Sequence, residues 1–382
     1  MGEKYFTLDE RIRILAEGTK YDSCNSTTVC HTFTPDGRCI QLYKTLLTNS
    51  CCGECLYCPN RCGRETARAS LSPGEIVKIT WDFYRRNAIE GLFLSSGVTG
   101  DPELTTERQL EVVRKLRATG FTGYIHVRLM PGVPRDLIRE ISLYVNKFGV
   151  NAETTCKSRY EEICPNFDYD VDILRRMAWA HDFVKQRRQE IRYVESDRKI
   201  TATIDRSGIV GANDTQFVVG ASGEPDLEII RTIGRFMDDY GLRRPFFMSF
   251  DPVKGTPLEG GQASPLWREA RLYQLSYLMK DYGLKARSLE MVLDDNGFLS
   301  NEDPKLMLAR LSRDDFPVDV NEATYGELIR VPGIGPRSAH RILRCRPIRD
   351  YVQLADMGIV LKRARPFIKV GRYRQAGLEA YG

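Results

Sequence analysis

Between residues 41 and 250 short apolar runs alternate with helix-patterned stretches of ten or more residues, and no other feature constrains the fold as strongly. Strand-like runs fall at 41–48, 91–96, 124–129, 150–154, 199–204, 216–220 and 246–250. Between them the spacing predicts helices over 73–86, 106–120, 134–147, 170–188 and 226–240, after an opening helix over 8–18. Ser72-Pro73-Gly74-Glu75 reads as a capping box with proline at the first helical position. Thr106 and Gln109 read as a second box, closed by Gly120, and Gly149 and Gly241 read as helix stops. Strands separated by such helices must be parallel and joined by right-handed crossovers. About six units give an α/β fold, a partial (β/α)6 TIM-like barrel, where eight would close the ring. The predicted layout is an N-terminal cysteine-containing extension over 1–40, the barrel over 41–255, a helical extension over 256–313 and a small all-α domain over 314–382.

Directly after the first predicted barrel strand comes Asn49-Ser50-Cys51-Cys52-Gly53-Glu54-Cys55-Leu56-Tyr57-Cys58-Pro59. In such barrels the loops following strands carry the chemistry. Cys51, Cys55 and Cys58 are spaced C-x3-C-x2-C, and three thiolates in eight residues can wrap one face of a small metal cluster. They are one short of the four that saturate a [4Fe–4S] cube, which leaves one iron open to a non-protein ligand. The spacing departs from ferredoxin runs and from paired C-x2-C zinc units, and His31 is the nearest histidine. Other assignments of the residues are a structural zinc, a cube completed by Cys62, or a C-x2-C-x2-C run starting at Cys52.

Eight of the eleven cysteines lie between Cys24 and Cys62. Cys24, Cys30, Cys39 and Cys62 form a possible second metal site, to which Cys156 and Cys164 could add, or they are small buried hydrophobes. No apolar run approaches the roughly 18–20 residues of a membrane helix, and Met1-Gly2-Glu3-Lys4 opens no hydrophobic signal core. The expectation is a cytoplasmic protein without a membrane partner, in which clustered cysteines serve metal or redox chemistry rather than disulfides.

The charge is uneven. Residues 330–382 carry twelve basic and three acidic side chains, against 44 basic and 48 acidic in the rest of the chain. Within this basic tail Val331-Pro332-Gly333-Ile334-Gly335 breaks a helix expected to begin near Asn321, and a second helix begins at Pro336. Gly333 and Gly335 allow a sharp turn and close approach, and Ile334 lies between them. Arg337, Arg341 and Arg344 share a face of the second helix. The arrangement resembles a helix-hairpin-helix module, which grips nucleic-acid backbone without reading sequence. A solvated arginine face or a protein-contact unit fits the same residues. Residues 351–369 read as a degenerate second hairpin lacking the paired glycines.

The cysteine pattern, with Tyr57 before the last cysteine, resembles the loop of the radical S-adenosylmethionine (SAM) superfamily. The chain as a whole resembles its DNA modification/repair radical SAM protein family. The matching stretches include Pro35-Asp36-Gly37-Arg38-Cys39, Leu47-Thr48-Asn49, Gly91-Leu92-Phe93-Leu94-Ser95-Ser96-Gly97, Gly123-Tyr124-Ile125-His126, Thr215-Gln216-Phe217-Val218-Val219-Gly220-Ala221 and Arg330-Val331-Pro332-Gly333-Ile334-Gly335. The resemblance implies a [4Fe–4S] cluster at Cys51, Cys55 and Cys58. It implies an enzyme that reductively cleaves SAM, releasing a 5′-deoxyadenosyl radical for work in DNA repair or base modification. By position it implies SAM contacts at Ser95, Ser96 and Gly97, although the superfamily usually has a carboxylate there. Further implied contacts are Glu153 and Asn151 near the ribose, Arg128 on the carboxylate, Val219 against adenine and the Tyr57 backbone at the adenine edge. Implied partners are DNA, a uracil-DNA-glycosylase-like protein and an electron donor such as flavodoxin or ferredoxin. Alternatives are a tRNA-modifying radical SAM enzyme and a non-catalytic DNA-binding iron–sulfur protein.

Overall fold

The computed structural model describes residues 6–19, 28–33, 39–196 and 212–370. The turn expected at 35–38, the strand expected at 199–204 and Cys24 lie outside the described residues. The chain divides into two compact units, 1–269 and 270–382.

In the first unit α1 (Leu8–Gly18) starts on a capping box between Thr7 and Glu10 and buries Leu15. β1 (Val29–Phe33) then pairs antiparallel with β2 (Cys39–Leu46), so the N-terminal stretch forms the outer edge of the main sheet. Next follow α2 (Pro73–Arg85), β3 (Gly91–Ser95), α3 (Pro102–Ala118), β4 (Tyr124–Arg128), α4 (Arg135–Ser142) and β5 (Lys147–Gly149). After α5 (Lys157–Ile163) a π-helical turn, Tyr169–Leu174, leads into α6 (Arg175–Ser196). β6 (Thr215–Val219), α7 (Asp226–Asp239) and β7 (Pro245–Ser249) complete the alternation.

β2, β3, β4 and β5 are parallel neighbours in chain order, and β6 pairs parallel with β7. Parallel bridges Phe148–Asn213 and Glu153–Phe217 join the two sheets, giving six parallel strands in sequence. The sheet is strongly curved. Phe93 on β3 and Phe246 on β7 both stack on His126 of β4, at 4.4 and 5.8 Å. In a flat sheet β3 and β7 would stand about 19 Å apart at the usual strand spacing. Tyr43, Leu92, Leu94, Ile125, Val127 and Phe148 point outward onto Ile76, Ile79, Val113, Leu116, Ile138 and Ile141 of the helices.

Three sequence expectations shift. α3 starts at Pro102 with Asp101 as its cap, not at Thr106. Thr106 is inside the first turns, donating to Pro102 O, and Gln109 is buried and donates to Arg128 O. The fourth barrel strand is β5 at Lys147–Gly149 rather than 150–154, because α4 ends at Ser142. Gly149 is a close approach, not a helix stop: a Cβ there would stand 1.9 Å from Asp214 O.

α8 (Leu266–Tyr282) spans the division between the units. The second unit continues with α9 (Ala286–Leu289), α10 (Pro304–Leu311), β8 (Val318–Asp319), α11 (Tyr325–Arg330), α12 (Pro336–Cys345), α13 (Tyr351–Asp356), α14 (Leu361–Ala364) and β9 (Ile368–Lys369). Its core gathers Val320, Leu328, Val331, Ile334, Ile342 and Leu354. The single division at 269/270 falls inside the stretch read as a helical extension, so 270–313 goes with the C-terminal unit. Among the described residues no helix is long and apolar enough to cross a membrane.

Candidate active site at the cysteine loop

The cysteine loop leaves β2 at the C-terminal ends of the parallel strands and is tied down from several directions. Asn49 is buried and bonds the segment 67–69 twice, donating to Ala67 O at 2.8 Å and accepting from Ala69 N at 2.7 Å. The Arg68 guanidinium donates to the carbonyls of Asn49, Asn60, Arg61 and Arg64, a clamp across both ends of the loop. Glu54 N donates to Asn166 Oδ1 and Leu56 N to Ile163 O, both at 2.8 Å. The stretch after β3 closes the fourth side. Gly97 N donates to Thr48 O, Cys52 N to Val98 O, and a Cβ on Gly97 would stand 2.4 Å from Ser50 O. Only glycine admits that approach.

The sulfurs sit in this frame. Gly53 N and Val98 N donate to Cys51 Sγ at 3.3 and 3.4 Å. The Cys51 and Cys55 sulfurs flank Gly53, 3.3 and 4.0 Å from where a Cβ would stand. Burial pushes the Cys51 and Cys58 thiols up, and Cys55 is pushed up by its hydrogen bond with Cys164 and then by burial. Three such groups become thiolates together only when a cation neutralises them. Among the described residues no group of three His, Cys, Asp or Glu side chains closes round a single metal ion. A tetrahedral zinc site would need sulfurs about 3.7 Å apart.

A cavity of about 160 Å³ is lined by Cys51, Cys55, Cys58, Tyr57, Ser95, Ser96, Gly97, Arg128, Asn151 and Glu153. Seven of the eight residues carried over as SAM contacts therefore meet the three cysteines. Ser95 ends β3, and Glu153 holds a left-handed backbone, φ 60°, a strained conformation for a non-glycine residue. Asn151 Oδ1 is buried and lacks a hydrogen-bond partner among the described residues. Glu153 is the one carboxylate among the described lining residues.

Two residues are placed differently from their expected roles. Val219 does not line the cavity. It shares the parity of Phe217, which stacks on Phe236 of α7, so this face of β6 meets the helices. Val218, one residue earlier, packs with Met248 and Tyr57 instead. Arg128 lines the cavity, but its guanidinium donates to Asp214 Oδ1 at 3.0 Å and lies between the rings of Phe93 and Phe246.

Asp214 anchors a charged cluster in the barrel interior that sequence reading missed. His126 Nε2 stands 2.8 Å from Asp214 Oδ2 and Lys147 Nζ 3.6 Å. Burial alone would raise the Asp214 carboxyl, but Arg128, His126 and Lys147 hold it well below its ordinary range. Burial lowers His126 to about 4 and Lys147 to about 8. Arg68, Asn166 and Gln216 were also missed, and Cys164 was named only as a possible contributor to a second metal site. Only Gln216 carried a signal, its two-residue spacing from Val218.

Among the described residues Cys30, Cys39 and Cys62 are not gathered into a metal-binding group, and Cys24 lies outside the described residues. Cys30 is buried with Ile40, Leu42 and Phe93, while Cys39 and Cys62 are exposed. Cys39 opens β2, while Cys62 lies in the turn after the cysteine loop, its N–H donating to Gly53 O.

In the second unit α11 starts on the Thr324–Glu327 capping box, not near Asn321, whose amide bonds the Ile348 backbone. The turn before α12 is as read: Gly333 has φ 88°, and Gly335 caps α12. Arg337, Arg341 and Arg344 are exposed, and Arg341 donates to Met357 O at 3.0 Å. Ile334 is buried and its carbonyl accepts from Lys305 Nζ, so its side chain serves the core. The stretch read as a second hairpin holds the short helices α13 and α14. Its turn keeps one left-handed glycine, Gly358 at φ 78°, with Val360 where the second glycine would be. The turns face each other: Val360 N donates to Gly333 O at 3.1 Å.

No family model and no curated protein matches the chain. It is similar to solved structures of HydG, a maturase of the [FeFe]-hydrogenase, at 14% identity over 62% of this chain and 48% of that one, TM-score 0.46. It is similar to methylornithine synthase (PylB), at 15% identity over 71% of each chain, TM-score 0.46. A third is the FeFe-hydrogenase maturase HydG from Carboxydothermus hydrogenoformans, at 14% identity over 82% of this chain and 75% of that one, TM-score 0.45. The chain thus spans about half the length of the first of these proteins.

Proposed function

We propose that this chain is a radical SAM enzyme with a [4Fe–4S] cluster at Cys51, Cys55 and Cys58. One observation carries the reading: those cysteines, Ser95-Ser96-Gly97, Asn151 and Glu153 come from three separate strand ends and line one cavity. Half-buried thiols and N–H donors on Cys51 suit a polynuclear cluster taking one cysteine per iron. When bound, the reduced cluster supplies one electron to the sulfonium of SAM, opening hydrogen-abstraction chemistry. The chain's residues bind and orient. Glu153 stands where a carboxylate is needed for an ammonium or ribose hydroxyls, since residues 95–97 offer only hydroxyls and backbone. Arg128 acts from its bond with Asp214, adding positive charge to the cavity floor. Val218, Met248 and Tyr57 form an apolar shelf that suits adenine. Anaerobic reconstitution tests this. About four irons per chain, and methionine with 5′-deoxyadenosine from SAM and reductant, are expected. Zinc at the loop, or a cluster inert towards SAM, overturns it.

We propose further that α11, the Val331–Gly335 turn and α12 form a helix-hairpin-helix module that holds DNA backbone. The exposed Arg337, Arg341 and Arg344 and the glycine turn support this. A target base inside a duplex would have to leave the stack to meet the chemistry. A flavodoxin or ferredoxin would supply electrons, and a uracil-DNA-glycosylase-like protein would be a partner. Salt-dependent binding of duplex DNA over RNA is expected. Preference for tRNA, or altered tRNA nucleosides in cells lacking the gene, would redirect the assignment to RNA.

A further inference from the structure

β7 is the last parallel strand and, among the described residues, pairs with β6 alone. Its far edge therefore offers no ladder to steady the loop that follows, residues 250–261. That loop folds on itself. Thr256 N donates to Val253 O and Glu259 N to Thr256 O, both at 3.1 Å. Gly255, at a left-handed φ of 77°, donates its N–H to Glu259 Oε2 at 2.7 Å. Arg64, half-buried, ties this loop to the end of the cysteine loop. Its Nε and Nη2 donate to Lys254 O at 3.1 and 3.0 Å, and its Nη1 donates to Pro59 O at 3.0 Å. A longer backbone bond joins the same two loops, from Leu258 N to Leu56 O at 3.4 Å. Leu258 and Tyr57 pack on one apolar cluster, Val218, Met248 and Phe250.

We propose that Arg64 is a positioning residue that fixes the loop after β7 to the cysteine loop, and so seats Leu258 on the apolar shelf that takes the adenine of SAM. This rests on the radical SAM reading above. A guanidinium carries five donors in a rigid planar fork, so one side chain holds two carbonyls in fixed directions. Hydrogen bonds from a charged donor are stronger than the long backbone bond beside them. An adenine ring gains from apolar contact only where the side chains stand at contact distance, since a gap of 0.5–1 Å forfeits about a quarter to a half of the attraction. A shelf whose outer part is already fixed also spares the ordering cost at the moment of binding. Arg64 does not line the cavity, whereas Tyr57 and Pro59 do. It therefore acts through the segments it holds and not on the ligand.

The test uses the full-length protein, reconstituted anaerobically, in wild-type, Arg64→Ala, Leu258→Ala and doubly substituted forms. Iron is counted, and the binding of labelled SAM and of labelled methionine is measured by equilibrium dialysis without reductant, so that nothing is cleaved. Methionine lacks the adenine and reports the rest of the site. Arg64→Ala should keep its full iron, weaken SAM about tenfold and leave methionine within about twofold. Leu258→Ala, which leaves the backbone bonds of the loop in place, should weaken SAM in the same selective way. The double variant should bind SAM within about twofold of the weaker single variant, because the two residues act through one contact. Unchanged SAM affinity in either single variant, equal losses for SAM and methionine, or additive losses in the double variant overturn the proposal and leave the enzyme reading intact. Loss of iron or of the fold in Arg64→Ala would assign Arg64 to the cysteine loop itself and overturn the proposal. Failure of the wild type to assemble a cluster or to bind SAM counts against the parent reading instead, and it is scored before any variant is compared.

Discussion

The cysteine loop and the Val331–Gly335 turn are both short, glycine-bearing and recognisable from a handful of residues, yet they are held in opposite ways. The loop is tied by partners distant in sequence: Ser50 meets Gly97, Glu54 meets Asn166, and Leu56 meets Ile163. The turn is tied by residues within about one supersecondary unit: Gly333 meets Val360, and Arg341 meets Met357. A loop that must hold three sulfurs apart against their mutual repulsion needs a rigid frame, and here segments distant in the chain supply it. The turn in the second unit is held by that unit's own small core.

This contrast makes predictions of graded size. The largest concerns Gly97→Ala. The new Cβ would collide with Ser50 O, a backbone atom with no room to yield. Cluster iron should fall more than tenfold, read by iron analysis, and thermal stability should drop by about 1–3 kcal/mol. Retention of full iron would mean that the loop does not depend on this distant strand end.

Next comes the charged interior beneath the cavity. Asp214→Asn would leave Arg128 and Lys147 without their shared counterion, at a cost of about 3–5 kcal/mol in chemical denaturation. The same cluster sets a pH dependence. His126 titrates near 4 in the fold against about 6.5 when unfolded, so the unfolded chain binds the extra proton between those values. Stability is therefore fully present above about pH 6.5 and is lost as pH falls towards 4, by on the order of 3 kcal/mol. Replacing His126 by Asn should flatten that limb. A slope of opposite sign would show that His126 is charged in the native state.

The smallest effects belong to the hairpin. Gly333→Ala puts a Cβ 2.6 Å from Val360 O at a left-handed backbone position. It should lower the melting of the C-terminal unit by about 1–3 kcal/mol and leave cluster iron unchanged. Loss of iron in that variant would break the comparison. Arg344→Ala, at an exposed position, should change stability by less than about 0.5 kcal/mol. It should weaken DNA binding several-fold across sequences and reduce the salt slope by about one.

Much of the barrel was legible because period and length carry it. Six parallel strands in chain order follow from apolar runs spaced by helices. The Ser72–Glu75 box was legible because a cap is a local bond. The misplaced elements were decided by distant partners. Thr106 and Gln109 have cap chemistry, but Gln109 is used to bond Arg128 O from inside the helix. Residues 150–154 have strand composition, but the ladder is formed by Lys147–Gly149 because Gly149 admits Asp214. At the site, residue types and their strand ends could be read, but the choice of Val218 over Val219 depends on which side of β6 faces α7.

By itself the sequence determined the alternation of strands and helices, the three-cysteine spacing and the glycine turn in a basic tail, since each is a property of neighbours along the chain. Only the tertiary structure decided that Arg128 is held by Asp214, that Arg68 clamps the cysteine loop and that Leu56 is strapped to Ile163. Those contacts join positions 4 to 107 residues apart, and a buried charge or backbone group takes whichever partner folding brings within reach.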